Sequence, residues 1–274
     1  MTKFKIPALL CSLTLFLSSC FTDRGPHTNL YGPALYKNDI SYLPKPLSSD
    51  SLHHASYISL STTSTNGTDP DNSNDQLTRG EINFGQGFTG KGFNIAYSVF
   101  GTAGSYDNMT NLVTNDSHYF NSKFFGAFGG RFSANTFITS GRVDIRIIGF
   151  EMAYSHEFGG YATYRKSVTD TANFYTNNRT DLVTLGGTSE VIWHSHDPKI
   201  QFGFRVFIGY TLGDNSYRNN GVTSPDSYDP FTQNNSQSYI AQHSSLAYFM
   251  QIHQYFFVAE VNGAGGQLRL GLRF

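Results

Sequence analysis

Residues 194–198 read His-Ser-His-Asp-Pro, a cluster of metal-capable side chains. His194 and His196 stand two apart. On a strand, residues i and i+2 point the same way, which is how paired histidines reach one metal ion. No third ligand carries a motif near them, and Asp197-Pro198 suits a hairpin turn, so the two histidines are weak metal candidates beside a turn. A second group is Tyr154, His156, Glu157 and Arg165. Glu and His together can act as acid and base. Adjacent strand residues face opposite ways, however, so His156 and Glu157 line one site only across a bulge, and a buried Glu–Arg network is the simpler reading. The sequence holds no Ser-nucleophile motif, Gly-rich phosphate loop or CxxC, so it reads as a non-enzyme with no cofactor. Tyr217, Tyr228, Phe231 and Tyr239 sit among Asn and Asp, where aromatic rings stack on sugars or meet a partner surface.

The chain that positions these residues is built for strands. Charged residues make up only 14%, aromatics 15%, and there are 27 Gly, a balance suited to β-strands and tight turns. A formal charge of −1 leaves no basic block to neutralise phosphates, which argues against a nucleic-acid partner. The two cysteines, Cys11 and Cys20, both fall in the first twenty residues and supply no disulfide framework.

Period-2 alternation predicts strands over residues 55–63, 81–88, 93–100, 123–133, 142–166, 181–194, 200–210 and 265–274. The cleanest row is Ile200, Phe202, Phe204, Val206, Ile208 and Tyr210, opposite Gln201, Gly203, Arg205 and Gly209. Within 142–166 the phase flips at Ile147-Ile148, as a β-bulge produces, and Gly159-Gly160 marks a second kink or a turn. Residues 246–261 hold either one strand or two split near His253-Gln254. The split gives about ten strands, with both barrel ends on one side. Eight is the alternative, if the first strand and one of these short ones drop out. Short and long connections alternate, as in an up-and-down barrel with short periplasmic turns and long outer loops.

The polar faces are mostly Gly, Ala, Ser, Asn and Thr, with isolated charges that include Glu81, Arg131, Asp144 and Arg146. Sparse charges of mixed sign suit a narrow lumen, where partly desolvated groups must pair. The expected lumen network is Glu151, Glu157, Glu190, Arg205, Arg269 and Arg273, with Arg269 and Arg273 facing Glu151, Glu157 or Glu190. The fold class expected is all-β: an up-and-down antiparallel transmembrane β-barrel whose apolar faces meet lipid. The competing arrangement is a soluble barrel with the apolar face inside.

Two stretches carry a resemblance. Lys3 and Lys5, an apolar run over 6–17 too short to span a bilayer, and then Leu17-Ser18-Ser19-Cys20 resemble the signal peptide and lipobox of bacterial lipoproteins. The resemblance implies cleavage before Cys20, a diacylglyceryl group on its sulfur and an N-linked acyl chain such as palmitate. Phe21 follows, not Asp, so inner-membrane retention is not suggested. Residues 1–19 are then signal peptide, 20–52 a Pro-rich lipidated tether, and 53–274 the barrel domain. Leu268, Leu270, Leu272 and Phe274, alternating with Gln267, Arg269, Gly271 and Arg273, resemble the closing strand of bacterial outer-membrane barrels. That resemblance implies an outer-membrane location and engagement of the outer-membrane assembly machinery through this strand, which is expected on the same side as the anchor at Cys20. The function expected is a lipid-anchored outer-membrane barrel with a structural, binding or transport-accessory role and membrane lipid as partner. The alternatives are a barrel protease or lipid-modifying enzyme, and a lipid-tethered soluble binding module.

Overall fold

The computed structural model describes residues 30–36, 38–46, 53–66, 76–107, 122–167, 175–176, 178–197, 199–212, 218–219, 241–262 and 265–274. In chain order the strands are β1 (Leu30–Tyr31), β2 (His54–Asn66), β3 (Gln76–Thr89), β4 (Phe93–Asp107), β5 (Lys123–Ser140), β6 (Val143–Phe158), β7 (Tyr175–Thr176), β8 (Asp181–His194), β9 (Ile200–Leu212), β10 (Arg218–Asn219), β11 (Ala241–Ile252), β12 (Tyr255–Asn262) and β13 (Gly265–Arg273). One helix, α1 (Gly160–Ser167), lies between β6 and β7. Ten of the strands close into a barrel in the order β11-β12-β13-β2-β3-β4-β5-β6-β8-β9, all antiparallel, with β9 meeting β11 and β13 sealing against β2. Beyond β13, Phe274 and Ser56 exchange backbone hydrogen bonds of 2.9 and 3.0 Å, so the pairing runs on to the terminal aromatic residue. The three two-residue strands form a separate small sheet, β1-β7-β10.

Two local features decide the strand count. His253 takes φ 56°, and Ile252 pairs with Tyr255 across it. His253-Gln254 is thus a two-residue hairpin turn, residues 246–261 belong to two strands, and the count is ten, not eight. Gly159 takes φ 108°, a conformation that L side chains avoid, and there the chain leaves the sheet. The single strand expected over 142–166 is therefore β6 followed by α1. The bulge expected at Ile147-Ile148 is present as a register shift between Arg146 and Gly149 against β8, with another between Thr136 and Ile138 on β5.

The connections sort by end. Those over 90–92, 141–142, 195–199 and 253–254 lie at one end, where β2 starts and Phe274 sits. The long ones over 67–75, 108–122, 159–180 and 213–240 lie at the other, with 263–264 as a short exception.

The faces are those of a membrane barrel. Leu270, Leu60 and Ile82 stand side by side outside, Leu60 and Leu270 each 65% exposed. Phe88, Phe93, Trp193 and Phe202 lie outward toward the short-turn end, and Phe124, Tyr154 and Phe158 outward toward the loop end. Aromatic residues at both rims of a continuous apolar band match the interfacial girdles of a bilayer-spanning barrel. Among the described residues no Lys, Arg or Glu lies on an outward row. The inward rows hold Arg131, Arg146, Arg205, Arg269, Glu81, Glu151, Glu190 and Glu260, all buried. A soluble barrel has the reverse arrangement.

Candidate functional site: a segment threaded through the lumen

Residues 32–46, expected from their prolines and lack of periodicity to be tether, lie inside the barrel. Two turn bonds lie within the segment, Tyr36 N–H to Pro33 O at 3.0 Å and Asn38 N–H to Leu35 O at 2.8 Å, and the rest of its backbone must still be satisfied in a water-poor interior. Here barrel side chains satisfy it. The Tyr161 hydroxyl donates to Gly32 O at 2.9 Å, and Ala34 N donates to Glu157 Oε2 at 2.6 Å. Lower in the lumen, Arg79 donates to Asn38 O at 2.7 Å and Arg131 Nε to Asp39 O at 2.6 Å. Tyr42 is held at both ends of its peptide, its N–H donating to Glu260 at 3.2 Å and its carbonyl accepting from Arg269 at 2.8 Å. The Thr89 hydroxyl donates to Pro46 O at 2.5 Å.

Side chains of the segment fill matching pockets. Ala34 packs among Leu77, Tyr106, Phe125 and Tyr161, and Leu35 among Phe100, Ala127 and Leu182. Ile40 meets Ala153 and Phe207. Tyr42 joins a cluster with Tyr57 and Phe256 and stacks on Phe249 at 4.3 Å between centroids. The wall makes room for the backbone as well. A Cβ added to Gly87 would stand 2.9 Å from Pro46 Cδ and 3.1 Å from Pro44 O. The free space beside Leu43 and Pro44 is only about 10 Å³, enough for roughly one water.

The charges are paired around this segment. Arg131 grips Glu81 with two bonds of 2.6 and 2.9 Å, and its guanidinium lies 3.9 Å above the Phe100 ring. Arg205 bonds both Glu151 and Glu260, the latter at 3.0 Å. Arg146 bonds Glu190, which also takes Lys45 of the threaded segment at 3.0 Å. Arg165 on α1 bonds the second oxygen of Glu157 at 2.6 Å. The pairing expected for Arg269 is corrected: its carboxylate partner is Glu81 at 3.3 Å, not Glu151, Glu157 or Glu190. The reason is closure, since β13 seals against β2 and Glu81 lies one strand further on. Arg273 is half-buried at the short-turn rim, apart from the buried set.

The other candidates are not brought together. β8 ends at His194, so the two-apart rule does not carry to His196. His194 Nε2 lies 3.3 Å from Asp144, whereas His196 meets Arg142 at 2.9 Å. Among the described residues no group of three or more His, Cys, Asp or Glu converges as a metal site would. Tyr154 and His156 both bond Asp181 Oδ1, at 2.6 and 2.8 Å, on the outer surface, while Glu157 is buried on the opposite side of the wall. Cys20, with the rest of residues 17–20, and Tyr217, Tyr228, Phe231 and Tyr239 lie outside the described residues.

Sequence reasoning missed Glu260 and Lys45 as members of the network. A signal was present. Leu35, Ile40, Tyr42 and Leu43 are too apolar for a solvated linker.

No protein-family model matches the chain, and no curated protein matches it by sequence. Among solved structures it is similar to the translocator domain of autotransporter NalP from Neisseria meningitidis, with TM-score 0.38 and 9% identity over 83% of this chain and 90% of that one. It is also similar to the TodX deltaS2S3 mutant monoaromatic hydrocarbon channel, with TM-score 0.33 and 8% identity over 91% of this chain and 73% of that one. Both values are low, and the belt and lumen stand on this chain's own geometry.

Proposed function

We propose that this chain is a bacterial outer-membrane barrel, acylated at Cys20, that serves as a non-enzymatic, non-conducting anchor presenting the elements at its loop end. The observation that carries this reading is the threaded segment. Residues 32–46 are fastened to the wall along the length of the lumen, so solute has no through-path. The apolar outer belt supports the membrane location, and the lipobox residues support the lipid. The closing strand, with Phe274 at its end, is the element the outer-membrane assembly machinery would engage.

The experiment is conductance in planar bilayers. The unaltered protein is expected to give no steady channel current, and a variant lacking residues 32–46 is expected to open one. Sustained current through the unaltered protein, in a preparation with heat-modifiable gel mobility, would overturn the proposal. Acylation is read separately: Cys20→Ser is expected to lose incorporated palmitate while the barrel stays in the membrane fraction.

A further inference from the structure

The direction in which the segment threads the lumen has a topological consequence. Its first residues bind at the loop end, Gly32 to Tyr161 on α1 and Ala34 to Glu157 near the end of β6. Its last bind at the short-turn end, Lys45 to Glu190 and Pro46 to Thr89. Just ahead of it, β1 pairs with β7, and β7 with β10, both of which belong to long connections at the loop end. The chain therefore travels from the loop end to the short-turn end before entering β2. Long loops of an outer-membrane barrel face the outside.

We infer that the chain ahead of Leu30 lies on the cell-surface side, so that the acyl chains on Cys20 enter the outer leaflet from outside rather than the inner leaflet from the periplasm. This rests on the membrane-barrel reading and on acylation at Cys20. Return to the periplasm is closed by two physical facts. The lumen is already filled by residues 32–46, and a passage outside the barrel would set unpaired backbone N–H and C=O groups in hydrocarbon, at several kcal/mol each. The stretch from Cys20 to Leu30 extends to at most about 35 Å, enough for a lipid on Cys20 to reach the leaflet around the loop end. The sequence-based expectation that anchor and closing strand share a side is thereby reversed: Phe274 is periplasmic, and the anchor is external.

The test is an epitope inserted after Arg24, compared with one in 67–75 and one in 195–199, with antibody binding measured on intact and on permeabilised cells. The inference expects the Arg24 epitope to bind on intact cells as the 67–75 epitope does, with the 195–199 epitope silent until permeabilisation. If the Arg24 epitope appears only after permeabilisation while the 67–75 epitope is open on intact cells, the inference is overturned and the membrane-barrel reading stands. If all three stay hidden on intact cells and the protein lacks heat-modifiable mobility, the barrel reading fails and takes the inference with it. Trypsin on intact cells gives a readout without insertions. Cleavage after Arg24 of the unaltered protein supports surface exposure, and protection of that bond alongside cleavage after Arg179 or Arg218, both in long connections at the loop end, contradicts it.

Discussion

Glu81 ties together two arginines that hold the threaded segment at one level of the lumen. It takes two bonds from Arg131 and one from Arg269, and those same arginines hold the carbonyls of Asp39 and Tyr42. Removing its charge leaves two buried guanidinium groups without a carboxylate. Breaking a buried pair from one side costs about 3–5 kcal/mol, whereas an exposed pair is worth about 1 kcal/mol or less. Glu81→Gln should therefore lower the temperature at which the folded band converts to the heat-denatured band on gels, and Arg131→Lys should lower it less. An unchanged transition for Glu81→Gln would show that this level is wet. Glu81 and Arg131 were legible as sparse charges on polar faces. The partner of Arg269 was not, because it depends on which strands meet when the ring closes, and alternation along one strand carries no such information.

At the scale of elements, what was legible followed period. The rows of β8 and β9 gave their strands nearly to the residue, and the phase slip near Tyr255 marked the His253 turn. The threaded segment has no period to read. Its prolines read as linker, and its apolar residues, too many for a solvated one, name no partner until a wall with matching pockets is known. α1 was hidden for a related reason, since one turn-forming glycine, Gly159, separates it from a continuous-looking strand. The fit between wall and segment is close at Gly87, where an added side chain would press on Pro44 to Pro46. Gly87→Val should cost about 1–3 kcal/mol by overpacking. It should also loosen the lower segment, seen as flickering current in bilayers. Gly80→Val, whose Cβ would meet its nearest neighbour at 4.0 Å on the outer surface, should give no current. Equal silence from both variants would place the segment away from Gly87.

At the scale of the whole molecule the barrel is inverted: apolar outside, charged inside, with its interior filled by the protein's own chain. The outside is tested by charge. Leu60 stands mid-height among Leu270 and Ile82, and an arginine there should destabilise the barrel in bilayers by about 2–4 kcal/mol. In a water-facing position the same change is nearly neutral, so a neutral Leu60→Arg in a refolding titration would count against the membrane belt. The inside is tested most directly by asking whether the segment touches the wall where it is placed. The Thr184 hydroxyl donates to Asp39 Oδ2 at 2.7 Å, across a separation of 145 residues and between two short side chains. With Asp39→Cys and Thr184→Cys together, a short thiol-to-thiol reagent applied to native membranes should join the two and change the gel mobility of the denatured chain. Asp39→Cys with Thr62→Cys, which faces outward, should not be joined. A threaded lumen predicts closure of the first pair alone; failure of that pair in a folded, heat-modifiable barrel would contradict it.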